Sequence, residues 1–450
     1  MSVKGKRITV IGLGKSGLSA AKLLFDKGAE VTVTDVRGKE NLEDAIDKLG
    51  SGKVKLKLGN DGRRATEDAE MIVISPGVPQ DALAVMSAKK AGIRIISEIE
   101  LFALYCSSPV VAVTGTNGKT TTVTLIADLL NRLGKKIEAA GNIGLPLTEI
   151  LWALSVETIV VAEVSSFQLE HIETFRPYIS VILNITPDHL DRYGSFKDYA
   201  AAKARLLRNQ KSSDWTVLNI DDNEVSTLAE DSSASVVGFS RREILDEGIF
   251  VDAGEIVARL NGKEERICRV RDISMKGGHN LENCLAAAAV GLIYGGKSET
   301  IGDVVSKFSG LEHRLEYVRT VKGVEFFNDS KATNVAACAE ALKSFTRPII
   351  LVCGGRDKGS DYSVLRKLLE EKAKSVVLLG EARGKMKCAF EGVVPCIEVD
   401  SLGDGVRKAF SVASSGDVVL LSPACSSFDM FRNFEERGRV FKAEAGYLGR

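Results

Sequence analysis

Residues 110–122 read VVAVTGTNGKTTT: a β-branched apolar run, a Gly/Thr/Asn turn, then Lys119 and threonines that open an apolar helical pattern. Strand, glycine-rich turn and helix in that order build a phosphate-binding loop, because backbone N–H groups and the positive end of a helix converge where the chain turns. The spacing predicts that Gly115, Thr116, Asn117, Gly118, Lys119, Thr120 and Thr121 surround the phosphates of ATP or GTP. Lys119 would reach the β and γ oxygens, and the Thr120 hydroxyl would ligate Mg²⁺. The loop is a shortened one, with Val113 where the longer GxxxxGK[ST] pattern has its first glycine.

The same grammar extends outward on both sides. From Arg7 to about Ser97, the runs ITVIGLG, EVTVTD, MIVISPG and IRIIS alternate with segments at helical spacing such as SGLSAAKLLFDKG, which predicts parallel strands with crossover helices. After the central loop come IVVAEVS and ISVILNIT, then a charged, strand-rich stretch, GIFVDAGEIVARLNGKEERICRV, and a helix through Asn280 to Leu292. Beyond SGLEHRLEYV the pattern restarts with a hairpin, YVRTVKGVEFFND, followed by PIILVCGG, SVVLLG and DVVLLSPA. A chain of 450 residues suggests about three domains at ~150 residues each. The expected fold class is α/β: a Rossmann-like domain over 1–97, a central P-loop-type mononucleotide-binding domain over 98–310 and a second Rossmann-like domain over 311–450.

Composition removes several function classes. Lys+Arg 60 cancels Asp+Glu 60, so no basic surplus supports nucleic-acid binding. Hydrophobic residues at 44%, with Gly 42 against Pro 9, describe a packed globular chain. Eight cysteines stand singly without CxxC or zinc-ligand spacing, which implies free thiols in a reducing compartment. No apolar run approaches the ~18 residues of a membrane span, and the N-terminal apolar stretch is broken too soon for a signal peptide. A cytoplasmic monomer without membrane or nucleic-acid partners is the expectation.

Individual residues carry the chemistry to different degrees. Gly12, Gly14 and Gly17 in GLGKSG follow the first strand and open a helix, so a nucleotide phosphate can approach the backbone there. Asp35 ends the second strand, where it can accept from a ribose hydroxyl or a base N–H; NAD is the competing ligand at this point. Glu163 and His189 each follow an apolar strand, on the edge where open α/β sheets collect ligands, and can hold Mg²⁺ beside a substrate phosphate. Asp188 and Asp191 read equally as caps or solvated side chains, and His171 reads as a local structural residue. Lys203, in YAAAKARLL, reads from chemistry alone as a solvated helix lysine. Arg314, Asp329 and Lys331 form a cation-rich set opening the third domain, and Cys425 reads as structural.

Taken in order, GLGKSG, SPGVP, VTGTNGKTTT, GNIGLP, EVSSFQLE, NITPDHLDRYGS, YAAAKARL, GGHNLENCLAA, EHRLE, NDSKATN, GGRDKGSD and SPACSSFDMFRNFEERG resemble the Mur ligases of peptidoglycan synthesis. The last of these is most characteristic of the D-glutamate-adding branch. The resemblance implies ATP-dependent addition of D-glutamate to UDP-N-acetylmuramoyl-L-alanine through an acyl phosphate. It places UDP, not NAD, in the first domain, against Gly14, Lys15, Ser16, Asp35, Ser75, Pro76 and Gly77, with Asn142 and His189 reaching the substrate or its metal. It maps ATP contacts onto Gly118, Lys119, Thr120, Asn280, Arg314, Asp329 and Lys331, and D-glutamate contacts onto Thr333, Lys358, Ser427 and Phe434. It also reverses the reading of Lys203, which the family carbamylates with CO₂ to help hold a second Mg²⁺ near Glu163 and His189. A sister ligase, a nicotinamide oxidoreductase and a non-catalytic nucleotide switch are the alternatives. The second would leave the phosphate loop and third domain unexplained.

Overall fold

Strands that are apolar throughout can be stable only where helices cover both faces of a sheet, and every residue of MIVI, VVAVT, TIVVAE, IILVCG and VVLL is buried. The computed structural model describes residues 2–50, 52, 54–189, 192–275, 277–357 and 359–449. Among them the strands form three sheets, giving three α/β domains.

The first sheet, order β3-β2-β1-β4-β5, is parallel throughout: β1 (Arg7–Ile11), β2 (Glu30–Asp35), β3 (Lys55–Leu58), β4 (Met71–Ile74) and β5 (Arg94–Ser97). The second has nine strands: β6 (Val110–Thr114), β7 (Lys136–Gly141), β8 (Thr158–Glu163), β9 (Ile179–Ile182), β10 (Trp215–Asn219), β11 (Ser235–Ser240), β12 (Gly248–Asp252), β13 (Glu255–Leu260) and β14 (Lys263–Arg269). Their order is β14-β13-β12-β11-β10-β9-β6-β8-β7; pairing is parallel from β7 to β12 and antiparallel through β13 and β14, the charged stretch singled out in the sequence. The edge strand β14 exposes Lys263, Glu264, Glu265 and Arg266 in succession. The third sheet, order β15-β16-β20-β17-β18-β19, opens with the expected hairpin of β15 (Glu316–Val321) and β16 (Val324–Asn328). It continues in parallel through β17 (Ile349–Gly354), β18 (Ala373–Leu379), β19 (Cys396–Glu398) and β20 (Val418–Leu421).

Two compact units contain these sheets. Met1–Ile273 with His279–Lys307 holds the first two, and Ser274–Gly278 with Phe308–Arg450 holds the third. Within the first unit, the helix Glu98–Ala103 joins the two sheets by buried carboxylates. Glu98 Oε1 accepts from the N–H and hydroxyl of Thr148, both at 2.7 Å, and Glu100 accepts from the N–H groups of Glu173, Thr174 and Phe175. Burial pushes the Glu98 carboxyl upward.

Strand order decides where ligands can sit. The order in which strands are added reverses at β1, which lies between β2 and β4, and at β6, which lies between β8 and β9. A crevice opens at the carboxyl ends of strands at such a reversal. No described helix is long and apolar enough to cross a membrane.

Candidate active site

The carboxyl ends of β6, β8 and β9 bring the central candidates together. Gly115 (φ 155°) and Gly118 (φ 86°) turn the chain from β6 into the helix Lys119–Arg132. A Cβ on Gly118 would press into Asn283 Oδ1, so the close approach of that side chain requires glycine. No side chain caps the helix, which leaves its first N–H groups to an anion. Lys119 folds back over the loop, its Nζ donating to the carbonyls of Gly115 (2.7 Å) and Thr116 (2.8 Å). Asn117 is exposed, Thr116 donates to the Thr186 carbonyl, and Thr121 is buried along the helix.

Glu163 ends β8 with 2% exposure. Its two carboxyl oxygens accept from the Thr120 hydroxyl (2.8 Å) and the Asn142 amide (2.9 Å), both neutral donors. Among the described residues no group of three or more His, Cys, Asp or Glu side chains is arranged to hold a metal ion. A hard cation at Thr120 and Glu163 would therefore take further ligands from phosphate and water, the usual arrangement for Mg²⁺.

Lys203 corrects the reading made from chemistry alone. It is 2% exposed and points inward from the helix Phe196–Ala204; its Nζ donates to the Gly115 carbonyl at 2.9 Å and lies 4.7 Å from the centre of the Tyr199 ring. Burial, reinforced by nearby Lys119, pulls its pKa well below the usual lysine value, against an opposing pull from Asp188. Helical periodicity could not reveal this, because the covering partner comes from a loop 88 residues away.

His189 follows β9 on the same edge, in a left-handed backbone conformation (φ 52°), its ring 4.8 Å from Phe167 and its N–H on Asp188 Oδ1. Asp191 lies outside the described residues. Sequence reasoning missed Asn283, whose Oδ1 accepts from the Thr122 hydroxyl and whose amide meets Asn280 Oδ1 at 3.4 Å. The i, i+3 spacing of Asn280 and Asn283 in GHNLEN was the available signal.

A cleft of about 540 Å³ opens beside this corner, lined by Gly14, Lys15, Ser16, Asp35, Ser75, Pro76 and Gly77 from the first sheet, and by Asn142 and Gln168 from the second. A Cβ on Gly17 would overlap the Gly12 carbonyl, whereas one on Gly14 would meet nothing, so of these two it is Gly14 that leaves backbone open to the cleft. Asp35 is not a vacant acceptor. Its carboxylate takes the Leu13 N–H (2.8 Å) and the N–H and guanidinium of Arg37. Burial raises its pKa, but the Arg37 and Leu13 hydrogen bonds outweigh this and hold it below the usual range.

The second unit assembles its own candidates at the carboxyl ends of β16, β20 and β17. Asp329 follows β16; burial pushes its carboxyl up to about 7 even though the Ser422 hydroxyl (2.9 Å) and the Leu315 N–H (3.2 Å) donate to it. Half-buried Arg314 lies between His313 and Leu315, both at positive φ, and the Lys331 N–H donates to the His313 carbonyl. Arg437, 2% exposed, ties the Asp329 turn to the loop after β20: it donates to the Ser330 hydroxyl and carbonyl and to the Cys425 carbonyl. Thr333 is half-buried on that turn, Ser427 is buried on the loop, and Phe434 opens the helix Phe434–Tyr447. Lys358 lies outside the described residues. Cys425 is buried with its thiol pushed up by burial, in keeping with a structural role.

Comparison with known proteins bears on these sites. Residues 6–97, 113–291 and 313–425 match, in turn, the Mur ligase MurD-like N-terminal domain, the Mur ligase middle domain and the Mur ligase glutamate ligase domain. The UDP-N-acetylmuramoylalanine–D-glutamate ligase of Koribacter versatilis is 46% identical over 442 residues, covering 98% of this chain and 97% of that protein. That of Pelotomaculum thermopropionicum is 44% identical over 439 residues, 97% and 96% of the two chains. Among solved structures, MurF from Acinetobacter baumannii gives a TM-score of 0.58 at 16% identity, over 92% of this chain and 91% of that one. MurC, the UDP-N-acetylmuramate-alanine ligase of Thermotoga maritima, gives 0.55 at 20% identity over 98% and 99%. At these identities the structural likeness is one of fold.

Proposed function

The chain belongs to the Mur ligase family, and from that premise we propose that it is a cytoplasmic, monomeric ligase with domains over 1–97, 98–310 and 311–450. It joins D-glutamate to UDP-N-acetylmuramoyl-L-alanine at the expense of ATP, in peptidoglycan precursor synthesis. The observation that carries the chemistry is the convergence of Lys119, Thr120, Glu163, Asn142 and Lys203 at one corner beside the cleft.

A carboxylate is a poor acyl donor because oxide is a poor leaving group. The L-alanyl carboxylate oxygen attacks the γ-phosphorus of ATP, ADP leaves, and an acyl phosphate results. The D-glutamate amine then attacks the acyl carbon, and phosphate departs with the C–O bonding pair. The first step brings two anions together. Lys119, released from the loop carbonyls it now holds, offsets their repulsion, and the uncapped helix end receives phosphate oxygens. Thr120 and Glu163 would hold Mg²⁺, which supplies charge neutralisation at the transferring phosphoryl group. Gly115–Thr121, Asn280, Arg314, Asp329 and Lys331 serve ATP, and Thr333, Lys358, Ser427 and Phe434 serve D-glutamate. UDP lies along Gly14–Ser16, Asp35 and Ser75–Gly77, where Asp35 acts by fixing Arg37 and the Leu13 turn. His189 lies at the reacting end and can accept the amine proton.

Lys203 is suited to carbamylation. Burial favours its neutral amine, whose lone pair can attack CO₂; the N–C bond forms, a C=O pair moves to oxygen, and nitrogen gives up a proton. The resulting anion would sit where a second Mg²⁺ needs oxygen ligands.

Phosphate release with ATP, Mg²⁺ and UDP-N-acetylmuramoyl-L-alanine tests the reading, comparing D-glutamate, L-glutamate, glycine, L-lysine and meso-diaminopimelate with product mass recorded. Turnover with D-glutamate alone, giving a product heavier by one glutamyl residue, is expected. Turnover only with another amino acid would move the chain to a sister activity.

A further inference from the structure

Between the cleft and the reacting corner lies a side chain that the mechanism leaves unused. We propose that Arg192 is a positioning residue that makes the setting of His189 depend on the occupied nucleotide-sugar cleft, an inference that rests on the functional reading above. Arg192 grips Glu170 as a fork, through Nε at 3.0 Å and Nη2 at 2.7 Å, and with Nη1 donates to the Pro76 carbonyl at 3.1 Å. The two charged side chains are only 13% and 11% exposed, so solvent screens the pair weakly.

Each end of this pair is tied to one of the two sites. On the cleft side, Glu170 Oε2 also accepts from the Gln80 amide at 2.6 Å, so Pro76 and Gln80, both on the turn after β4, are anchored to the same pair. Pro76 itself lines the cleft. On the reacting side, the Arg192 N–H donates to the His189 carbonyl at 3.0 Å. The guanidinium lies 4.2 Å from the centre of the Phe167 ring, the ring that packs 4.8 Å from the His189 imidazole.

His189 also needs outside support. Its φ of 52° is a backbone conformation that a histidine keeps only where its surroundings hold it. The holding contacts include the Arg192 and Tyr193 N–H groups on its carbonyl, the Phe167 ring on its side chain and Asp188 Oδ1 on its own N–H. A substrate that fixes the Pro76 carbonyl therefore selects one placement of the guanidinium, and with it one placement of His189. Lysine could supply the charge but not the planar fork that bonds Glu170 and Pro76 together.

Steady-state kinetics of Arg192→Met, Arg192→Lys and Glu170→Gln, with thermal melting of each, test this. For Arg192→Met the expected result is a fall in kcat of about tenfold to a hundredfold and a severalfold rise in KM for UDP-N-acetylmuramoyl-L-alanine, with KM for ATP within about twofold. Arg192→Lys should melt close to the parent and keep most of the kcat loss, Glu170→Gln should shift both parameters in the same direction, and the double variant Arg192→Met/Glu170→Gln should be no worse than Arg192→Met. Parent-like kinetics in folded Arg192→Lys and Glu170→Gln would overturn the proposal whether or not Arg192→Met folds. So would an equal rise in every KM. A parent enzyme inactive with D-glutamate would overturn the functional reading instead.

Discussion

Gly14 and Gly118 stand at equivalent points of two strand–loop–helix units, β1 into Lys15–Asp26 and β6 into Lys119–Arg132, and neither helix has a side-chain cap. Both therefore leave N–H groups for an anion. They differ in what surrounds that end. Around Gly14 the neighbours make a shape: Gly17 lets the helix close on Gly12, Ser75 donates to the Gly12 carbonyl, and Asp35 spends its charge on Arg37. Around Gly118 the neighbours carry the chemistry, with Lys119 on two carbonyls and buried Glu163 accepting from the Thr120 hydroxyl and the Asn142 amide. The same backbone plan gives a binding cleft in which Asp35 is tied to Arg37 and a reaction corner in which Lys119 holds loop carbonyls and Glu163 takes a hydroxyl and an amide.

Removing charge from the second loop should have the largest effect. Lys119→Ala is expected to lower phosphate release by about a thousandfold or more while calorimetric affinity for the nucleotide sugar stays near the parent value; affinity falling in step would erase the distinction between the two loops. Lys203→Ala should lose about a hundredfold, and acetate or formate should restore part of it, since a small carboxylate can replace a missing carbamate. Unchanged activity would return Lys203 to a packing role. In the parent, half-maximal activation should need more bicarbonate as pH falls, because protonation of Lys203 competes with carbamate formation.

The first loop should respond through stability and binding. Gly17→Ala forces the helix off the Gly12 carbonyl and should lower Tm by several degrees, corresponding to about 1–3 kcal/mol of overpacking. Gly14→Ala should leave Tm unchanged and raise KM for the nucleotide sugar alone; the reverse pattern would mean that the roles of the two glycines are exchanged.

The smallest effect concerns the contact between the two sheets. Burial holds His171 at about 4, with its Nε2 on Gln80 Oε1 at 3.0 Å. A depressed histidine binds fewer protons folded than unfolded, so its contribution is complete above ~6.5 and is lost as pH falls towards 4. His171→Gln should flatten the melting temperature over that interval.

Strand positions, the antiparallel insert, the hairpin before Asp329 and the central loop were all legible, because each is a local pattern of apolar residues and glycines. What escaped were partnerships over long sequence distances. Glu98 and Glu100 look like surface helix acids until Thr148 and residues 173–175 close over them. Arg192 has no local pattern that points to Pro76, 116 residues away, and even at short range Asp35 looks like a ribose acceptor until Arg37, two residues on, folds onto it. The burial of Lys203 was equally illegible, since it depends on a carbonyl in a distant loop.

The charged edge strand β14 has a consequence for the protein in a crowded cell. An unpaired strand edge is a template on which a neighbouring molecule can add, and a nine-stranded sheet with a flat apolar border would seed aggregation. A strand adding beside Lys263, Glu264, Glu265 and Arg266 would have to bring its own backbone against four exposed charged side chains of both signs. The opposite end of the first sheet is guarded in the same way by Lys55 and Lys57 on β3. Sheet growth between molecules is thus discouraged at these two borders, which leaves the inner strands free to be as apolar as a rigid site requires.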